Sequence, residues 1–455
     1  MARLEDPVAI GGVEVPNRLY RAPLLECAGN GPDAVDRLVA DLEPAAAAGA
    51  GLVCQGATIV RGEGGCAAPN MTRVHDPEFV ARLDRLTDRV HDHGARIAIQ
   101  LEHGGLRSME TWHAGYRAAH GDPTQLAVSE PPWQLRLLDR AGLLSYDPEV
   151  MSTEAVYDLA ADFGRAAGRA ADAGYDLVHL AGANMGIVQQ FLSPFYNRRD
   201  DEFGGSLRDR VRFLEVVREE VRERTDLPVM TKVPAETAAP PVVRRHLTLE
   251  DGVRIAELLD DAGFEALVPV ECSTFWDMSI VRGAYPARAW NDEGFREGYA
   301  DAFGSRARTR AVALLNRLQS LQFDFEPAWN ADFCRRVREA TDAVVLCEGG
   351  IRERPRIDRL LGGDPPATDL VGMGRPFYAE PRLPARILDD GEATVLCENC
   401  NNCTVPQATG APGLCRTPSV VRVRGRLRQE GAYGDGGRES APGATGQEGA
   451  SGDGG

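Results

Sequence analysis

Eight short apolar runs recur between residues 18 and 374: RLYRAP (18–23), GLVCQGATIV (51–60), RIAIQLEH (96–103), DLVHLAGA (176–183), PVMTKVP (228–234), ALVPVE (266–271), AVVLCEGG (343–350) and DLVGMG (369–374). Segments with helical period lie between them, at Pro77–His93, Thr153–Ala173, Leu207–Thr225, Thr248–Ala262, Phe333–Thr341 and Arg354–Leu361. Strands that alternate with helices build a parallel sheet. Eight such units fit an α/β fold of the TIM (β/α)8 barrel type. An open doubly wound sheet is the alternative. It needs a G-x-G-x-x-G loop after its first strand, and the glycines of AAAAGAGLV (45–53) precede a strand instead.

The net charge of -17 argues against nucleic acid or an anionic membrane as partner. No run of eighteen apolar residues occurs, so no membrane span is expected. The start, MARLEDPVAI, lacks a basic stretch followed by an apolar core, and a cytoplasmic location is expected. Two connections are long. One runs roughly from Gly104 to Met151 and carries Trp112, His113, Tyr116 and Trp133. The other runs roughly from Cys272 to Phe325 and carries Phe275, Trp276, Asp277, Tyr285, Trp290 and Tyr299. Both follow strand ends at the face where such barrels keep their active sites. They read as a substrate lid or as an oligomer contact, and a homo-oligomer is expected. From about Arg424 the chain turns to Gly, Ser, Glu and Ala, which reads as a disordered tail over 424–455.

Ten cysteines divide into six scattered ones and four packed ones, Cys397, Cys400, Cys403 and Cys415. The six read as reduced, buried apolar groups. The four follow C-E-N-C-N-N-C, eleven residues and a last Cys, a spacing that suits a [4Fe-4S] cluster or a tetrahedral zinc. The division expected is a barrel over 1–394, a four-cysteine segment over 395–423, and the tail. A single lysine, Lys232, stands among a chain that otherwise uses arginine.

The segment QQFLSPFYNRRDDEFGGSLRDR (189–210) resembles the signature that follows the fourth strand in the Old Yellow Enzyme / NADH:flavin oxidoreductase family. PNRLYRAP (16–23), VHDHGARIAIQLEHGG (90–105), CEGGI (347–351) and VGMGRPFYAEPRL (371–383) match in the family's order. The likeness spans roughly residues 4 to 420. The cysteine segment narrows it to the iron–sulfur branch that includes trimethylamine dehydrogenase and 2,4-dienoyl-CoA reductase. The resemblance implies an FMN-dependent oxidoreductase that passes hydride between a small organic substrate and flavin N5. It implies that Gln100 meets the flavin pyrimidine edge, that Pro23 and Ala57 give backbone contacts, and that Lys232 stabilises reduced flavin. Gly349, Gly350, Gly374 and Arg375 are the phosphate group, with Arg375 able to pair bidentately. The four cysteines would then hold a [4Fe-4S] cluster that relays single electrons, with zinc as the alternative.

The substrate-holding His and the proton-donating Tyr of family ene-reductases fall at Ala181 and Gly186, neither of which has a side-chain donor. Asn184 keeps the second substrate donor, and Leu106 replaces an Arg. His179 has inward strand parity and is a catalytic candidate, with a hydrogen-bonded core histidine as the other reading. Tyr116 and His113 are candidate acids on the first lid, and Asp277 is a candidate substrate contact on the second. Two directions stay open: reduction of an activated double bond, or oxidation of an amine or similar C–H donor. NAD(P)H can supply electrons directly. A separate electron-transfer protein is the expected partner of the cluster, since the chain ends in a tail. A non-catalytic or electron-transfer flavoprotein with structural zinc is the competing class.

Overall fold

The computed structural model describes residues 2–62, 64–121 and 124–434. All eight apolar runs are strands: β1 (Leu19–Arg21), β2 (Leu52–Ile59), β3 (Arg96–Glu102), β4 (Leu177–Leu180), β5 (Val229–Ala235), β6 (Ala266–Glu271), β7 (Val344–Cys347) and β8 (Leu370–Met373). Each pairs in parallel with the next, and β8 returns to β1 with Val371 opposite Leu19. The sheet therefore closes into the expected TIM barrel.

Strand parity sorts the side chains. Tyr20, Leu52, Ala98, Leu177 and Met230 point inward and fill the barrel. Ile10 and Val15, from a hairpin of Val8–Ile10 and Val13–Val15, join that inner core. The hairpin covers the N-terminal end, where Gly11 lies against Pro228 and Glu265. Outward residues such as Val53, Ile97, Val178 and Val345 pack under the helices. Burying apolar surface on both faces stabilises by about 25 cal/mol per Å².

The surrounding helices are α1 (Ala34–Ala47), α2 (Asp84–His91), α3 (Thr153–Asp172), α4 (Leu207–Arg222), α5 (Leu249–Asp261), α6 (Ala331–Ala340), α7 (Arg354–Gly362) and α8 (Leu383–Asp389). Ser206 with Asp209 and Thr248 with Asp251 form reciprocal capping boxes that start α4 and α5. The segment Pro77–His93 is broken into Pro77–Val80 and α2 rather than continuous. The helix α1 has no counterpart among the periodic segments of the sequence. Its alanines and internal Pro44 blur the apolar stripe, although Leu38 and Leu42 are buried.

A further helix, Pro418–Gln429, runs through the expected start of the tail at Arg424. Its Val420 packs into the core, so the apolar content just before 424 continues an ordered element. Residues 435–455 of the expected tail lie outside the described residues. No helix among the described residues is long and apolar enough to cross a membrane.

Candidate active site

The C-terminal ends of the strands surround a cavity of about 230 Å³. Gln100 on β3 and Lys232 on β5 share inward parity and border it. Pro23, Ala57 and Asn184 border it from the loops after β1, β2 and β4. Gly349, Gly350, Gly374 and Arg375 close the side formed by the ends of β7 and β8.

Lys232 Nζ donates to Glu348 Oε2 at 2.7 Å. Glu348 was not singled out in the sequence, although it stands inside the CEGGI motif. The side chain of Gln100 is fixed from below by His179, with Nε2 3.2 Å from Nδ1. His179 is fully buried and also lies 3.8 Å from the Cys54 sulfur. Burial, and then the charge of Lys232, push its imidazole well below the usual histidine range. It stays neutral, with Nδ1 as acceptor and the proton assigned to Nε2. His179 does not border the cavity. It stands beneath the cavity and supports Gln100.

The β7 loop approaches the cavity through backbone alone. Gly349 and Gly350 have φ of 100° and 66°, a region that side chains rarely adopt. A Cβ on Gly349 would come within 2.6 Å of the Trp329 indole, and one on Gly350 within 2.2 Å of the Glu326 carbonyl. Arg375 borders the cavity, but its fork is already engaged. It donates to the carbonyls of Val281 and Arg282, at 3.1 and 2.9 Å, and to the Asn401 side chain. Its guanidinium therefore stands between the cavity and these three partners.

Three buried polar atoms on residues of the cavity wall have no partner within the protein: Glu348 Oε1, Trp329 Nε1 and Asn399 Nδ2. Such groups are rare in folded proteins and call for a polar ligand. A glycine loop, an amide edge, a lysine and apolar walls from Leu24, Ala57 and Met71 fit a flavin mononucleotide.

Two further charged residues border the cavity, and the sequence had assigned neither a role. Arg107 Nη1 donates to Glu102 Oε1 at 3.2 Å. With its amide oxygen turned to Arg107, Asn184 accepts from Nη2 at 2.8 Å and from Nη1 at 3.1 Å. Asn184 and Met185 both have φ of 61°, so the β4 loop turns sharply to bring that amide in. Arg107 stands one residue beyond Leu106, the position at which the family motif carries its Arg.

The long connections turn inward on each other instead of over the cavity. Trp112 packs on Trp276 and Phe303, with ring centroids 5.7 and 6.0 Å apart. Tyr116 stacks on His120 at 4.0 Å, and His113 accepts from the Tyr116 N–H. Asp277 accepts from the Ser279 N–H. None of these lid residues borders the cavity, to which the second connection contributes only Ile280 and Val281. Tyr116, a candidate acid in the sequence, thus lies away from the cavity wall.

Cys397, Cys400, Cys403 and Cys415 line a second, small cavity together with Arg375, Asn401 and Thr417. Asn399 and Asn401 take φ of 52° and 57°, which asparagine tolerates best among the side-chain-bearing residues, and so fold the C-E-N-C-N-N-C loop tightly. Burial pushes the Cys403 thiol up to about 12 and also raises Cys397, while Arg375 pulls both down. Among the described residues no group of three or more His, Cys, Asp or Glu could hold a single metal ion. Arg375 borders both cavities.

A closed barrel with a flavin-shaped site at its strand ends defines a flavin-dependent oxidoreductase. The chain belongs to the NADH:flavin oxidoreductase / NADH oxidase family, whose model matches residues 3–291. It is 29% identical over 321 residues to an NADPH dehydrogenase of Listeria monocytogenes, covering 70% of this chain and 85% of that one. It is 24% identical to an NADH oxidase of Thermoanaerobacter brockii and 26% identical to an N,N-dimethylglycine/sarcosine dehydrogenase of Chromohalobacter salexigens. Those matches cover 89% and 90% of this chain but 56% and 52% of the relatives. The structure of histamine dehydrogenase from a Rhizobium species superposes with a TM-score of 0.68 at 21% identity, covering 92% of this chain and 52% of that one. The chain thus spans about half the length of these three proteins. The protein is an enzyme of this family, and the non-catalytic alternative is set aside.

Proposed function

We propose that the protein is an FMN-dependent oxidoreductase that moves hydride between a small organic substrate and flavin N5, with a [4Fe-4S] cluster as a one-electron relay. The observation that carries this reading is the pair of cavities joined at Arg375, one fitted to a flavin and one lined by four cysteines. When bound, the flavin accepts or gives two electrons with a hydrogen, and the cluster takes electrons singly. Gln100 would meet the pyrimidine edge, and Pro23 and Ala57 would flank the ring. Gly349, Gly350 and Gly374 would hold the phosphate by backbone, and Lys232 would offset the negative charge of the reduced ring. Arg107 and Asn184 would orient the substrate. Cys397, Cys400, Cys403 and Cys415 would ligate the cluster. Four thiols line one cavity, and the likeness of their spacing to the iron–sulfur branch of the family supports a cluster over zinc.

The missing His and Tyr at Ala181 and Gly186 weaken enone reduction, and the likeness to a sarcosine dehydrogenase supports an amine or similar C–H donor. NAD(P)H or a separate electron-transfer protein would exchange electrons with the enzyme. A homo-oligomer in the reducing cytoplasm is the setting we propose.

Anaerobic purification followed by an absorbance spectrum and metal analysis tests this. The expected result is one flavin with about four irons and four sulfides per chain. Flavin with zinc and no iron refutes the relay, and protein that binds no flavin refutes the whole reading.

A further inference from the structure

We propose that Glu102 is the proton-transfer group of this site, in place of the tyrosine that Gly186 lacks. The proposal rests on the flavin reading above and adds to it the group that handles the proton.

The argument is one of space. Glu102 ends β3 and borders the cavity, yet it is almost fully buried. If Gly186 carried a side chain, its Cβ would lie 3.3 Å from Glu102 Oε1. The carboxyl therefore stands directly beside the position from which a side chain at 186 would start. Removing one proton donor and setting another beside the vacated position leaves the site with an acid of a different kind.

The carboxyl is also held. Arg107 bonds Glu102 Oε1, and Arg107 is in turn bonded to Asn184, so three groups from two strand ends move as one unit. Glu102 Oε2 is not used by that unit and is free to address a ligand. The charged groups that face the carboxyl are Arg107, from the turn after β3, and Lys232, from β5. Glu348 from β7 sits behind Lys232. Neutral Asn184 and Gly186 face it from the β4 loop. Burial raises the carboxyl's pKa, and Arg107 and then Lys232 pull it back. A carboxyl so balanced can exist in both forms, as a proton carrier must.

In oxidation of an amine or hydroxyl donor, Glu102 takes the proton from the heteroatom. That N–H or O–H bond breaks and an O–H bond forms on Glu102. The two electrons and hydrogen of the adjacent C–H bond leave as hydride to the flavin, the oxidant. In the reverse direction Glu102 gives the proton back as hydride returns to carbon.

The test needs no substrate. Flavin-loaded wild type, Glu102→Gln and Glu102→Asp are titrated with pH in the infrared, oxidised and then reduced with dithionite. Wild type is expected to show a protonated-carboxyl band whose midpoint lies above that of an exposed carboxyl and rises on reduction. The Glu102 component of that band should be absent from Glu102→Gln and move in Glu102→Asp, while the buried Glu26 and Glu236 keep theirs. The midpoint potential of wild type should depend more steeply on pH than that of Glu102→Gln. Identical spectra and slopes in wild type and Glu102→Gln overturn the assignment. Should Glu102→Gln fail to fold, Glu102→Asp decides: an unmoved band overturns the proposal. Flavin absorbance separates the two readings, because protein without flavin refutes the proposed function itself.

Discussion

Replacing Lys232 by Met removes one half of the ion pair in the cavity and leaves the other half behind. At 2.7 Å and an effective dielectric of about 20, the gross attraction is about 6 kcal/mol. Withdrawing two ions from water offsets most of it, so the net worth of the intact pair is small. The pair is only partly screened, with side chains 18% and 12% exposed. Loss of Lys232 alone leaves the Glu348 carboxylate, which already has one unpartnered oxygen, with no cation within bonding distance. We expect Lys232→Met to cost about 3 kcal/mol, the low end for breaking a buried pair. Glu348→Leu should cost a similar amount for the mirrored reason. The double variant should lie within about 1 kcal/mol of wild type, because an apolar pair of similar volume needs no compensation. Urea unfolding of flavin-free protein, followed by circular dichroism, gives the four corners of the cycle. With those losses the coupling is about 5 kcal/mol. If the double variant instead loses the sum of the single losses, the pair carries no coupling and the reasoning is wrong. In the flavin-loaded protein, Lys232→Met should also lower the midpoint potential, since reduced flavin loses its neighbouring cation.

Two further outcomes follow from geometry and charge. Gly349→Ala places a methyl group against the Trp329 indole at a φ of 100°. The purified variant should hold less flavin at near-wild-type helix content, which absorbance per chain and circular dichroism measure together. Burial lowers the His103 imidazole to about 4, while its Nδ1 accepts from the Gly105 N–H. Between the unfolded histidine value of about 6.5 and about 4, the unfolded chain binds a proton that the folded chain refuses. Stability should therefore fall as pH drops through that window. His103→Asn should flatten the slope of Tm against pH between about 6.5 and 5, above the range where most carboxylates titrate.

The barrel was legible because each strand is a short apolar run buried on both faces, and such runs stand out between amphipathic helices. Seven of the eight strands fall within those runs, and β5 runs one residue beyond its own, to Ala235. Part of the cavity wall was legible too, since Gln100, Lys232, Gly349 and Gly374 sit in motifs tied to strand ends. The Glu102–Arg107 ion pair was not. Glu102 lies inside a quoted motif but takes a position where no residue type is diagnostic, and Arg107 and Asn184 meet only through the turn of the β4 loop. The lids misled for a related reason. Aromatic content marks a surface that will be buried, but it does not say against what. Here Trp112 packs on Trp276 and Phe303, while His113 and Tyr116 bond and stack within their own loop.

The four-cysteine segment is a wall of the barrel and not an appendage to it. The Leu396 N–H donates to Glu380 Oε2 at 2.6 Å, and Gln407 Nε2 donates to the Leu25 carbonyl at 2.6 Å. Tyr378, between β8 and α8, donates to that same Leu25 carbonyl, and its own carbonyl accepts from the Cys415 N–H. Leu25 itself borders the flavin-shaped cavity. Asn399, two residues from Cys397, borders it as well, while Asn401 ties down Arg375. The loop that presents the thiols therefore also presents side chains to the other cavity. Anything that reshapes the cysteine loop must move Asn399 and Arg375. It follows that the two cavities cannot be varied independently: the segment sets the distance between them, and a barrel cut before Leu396 would lose part of the wall of its own active site.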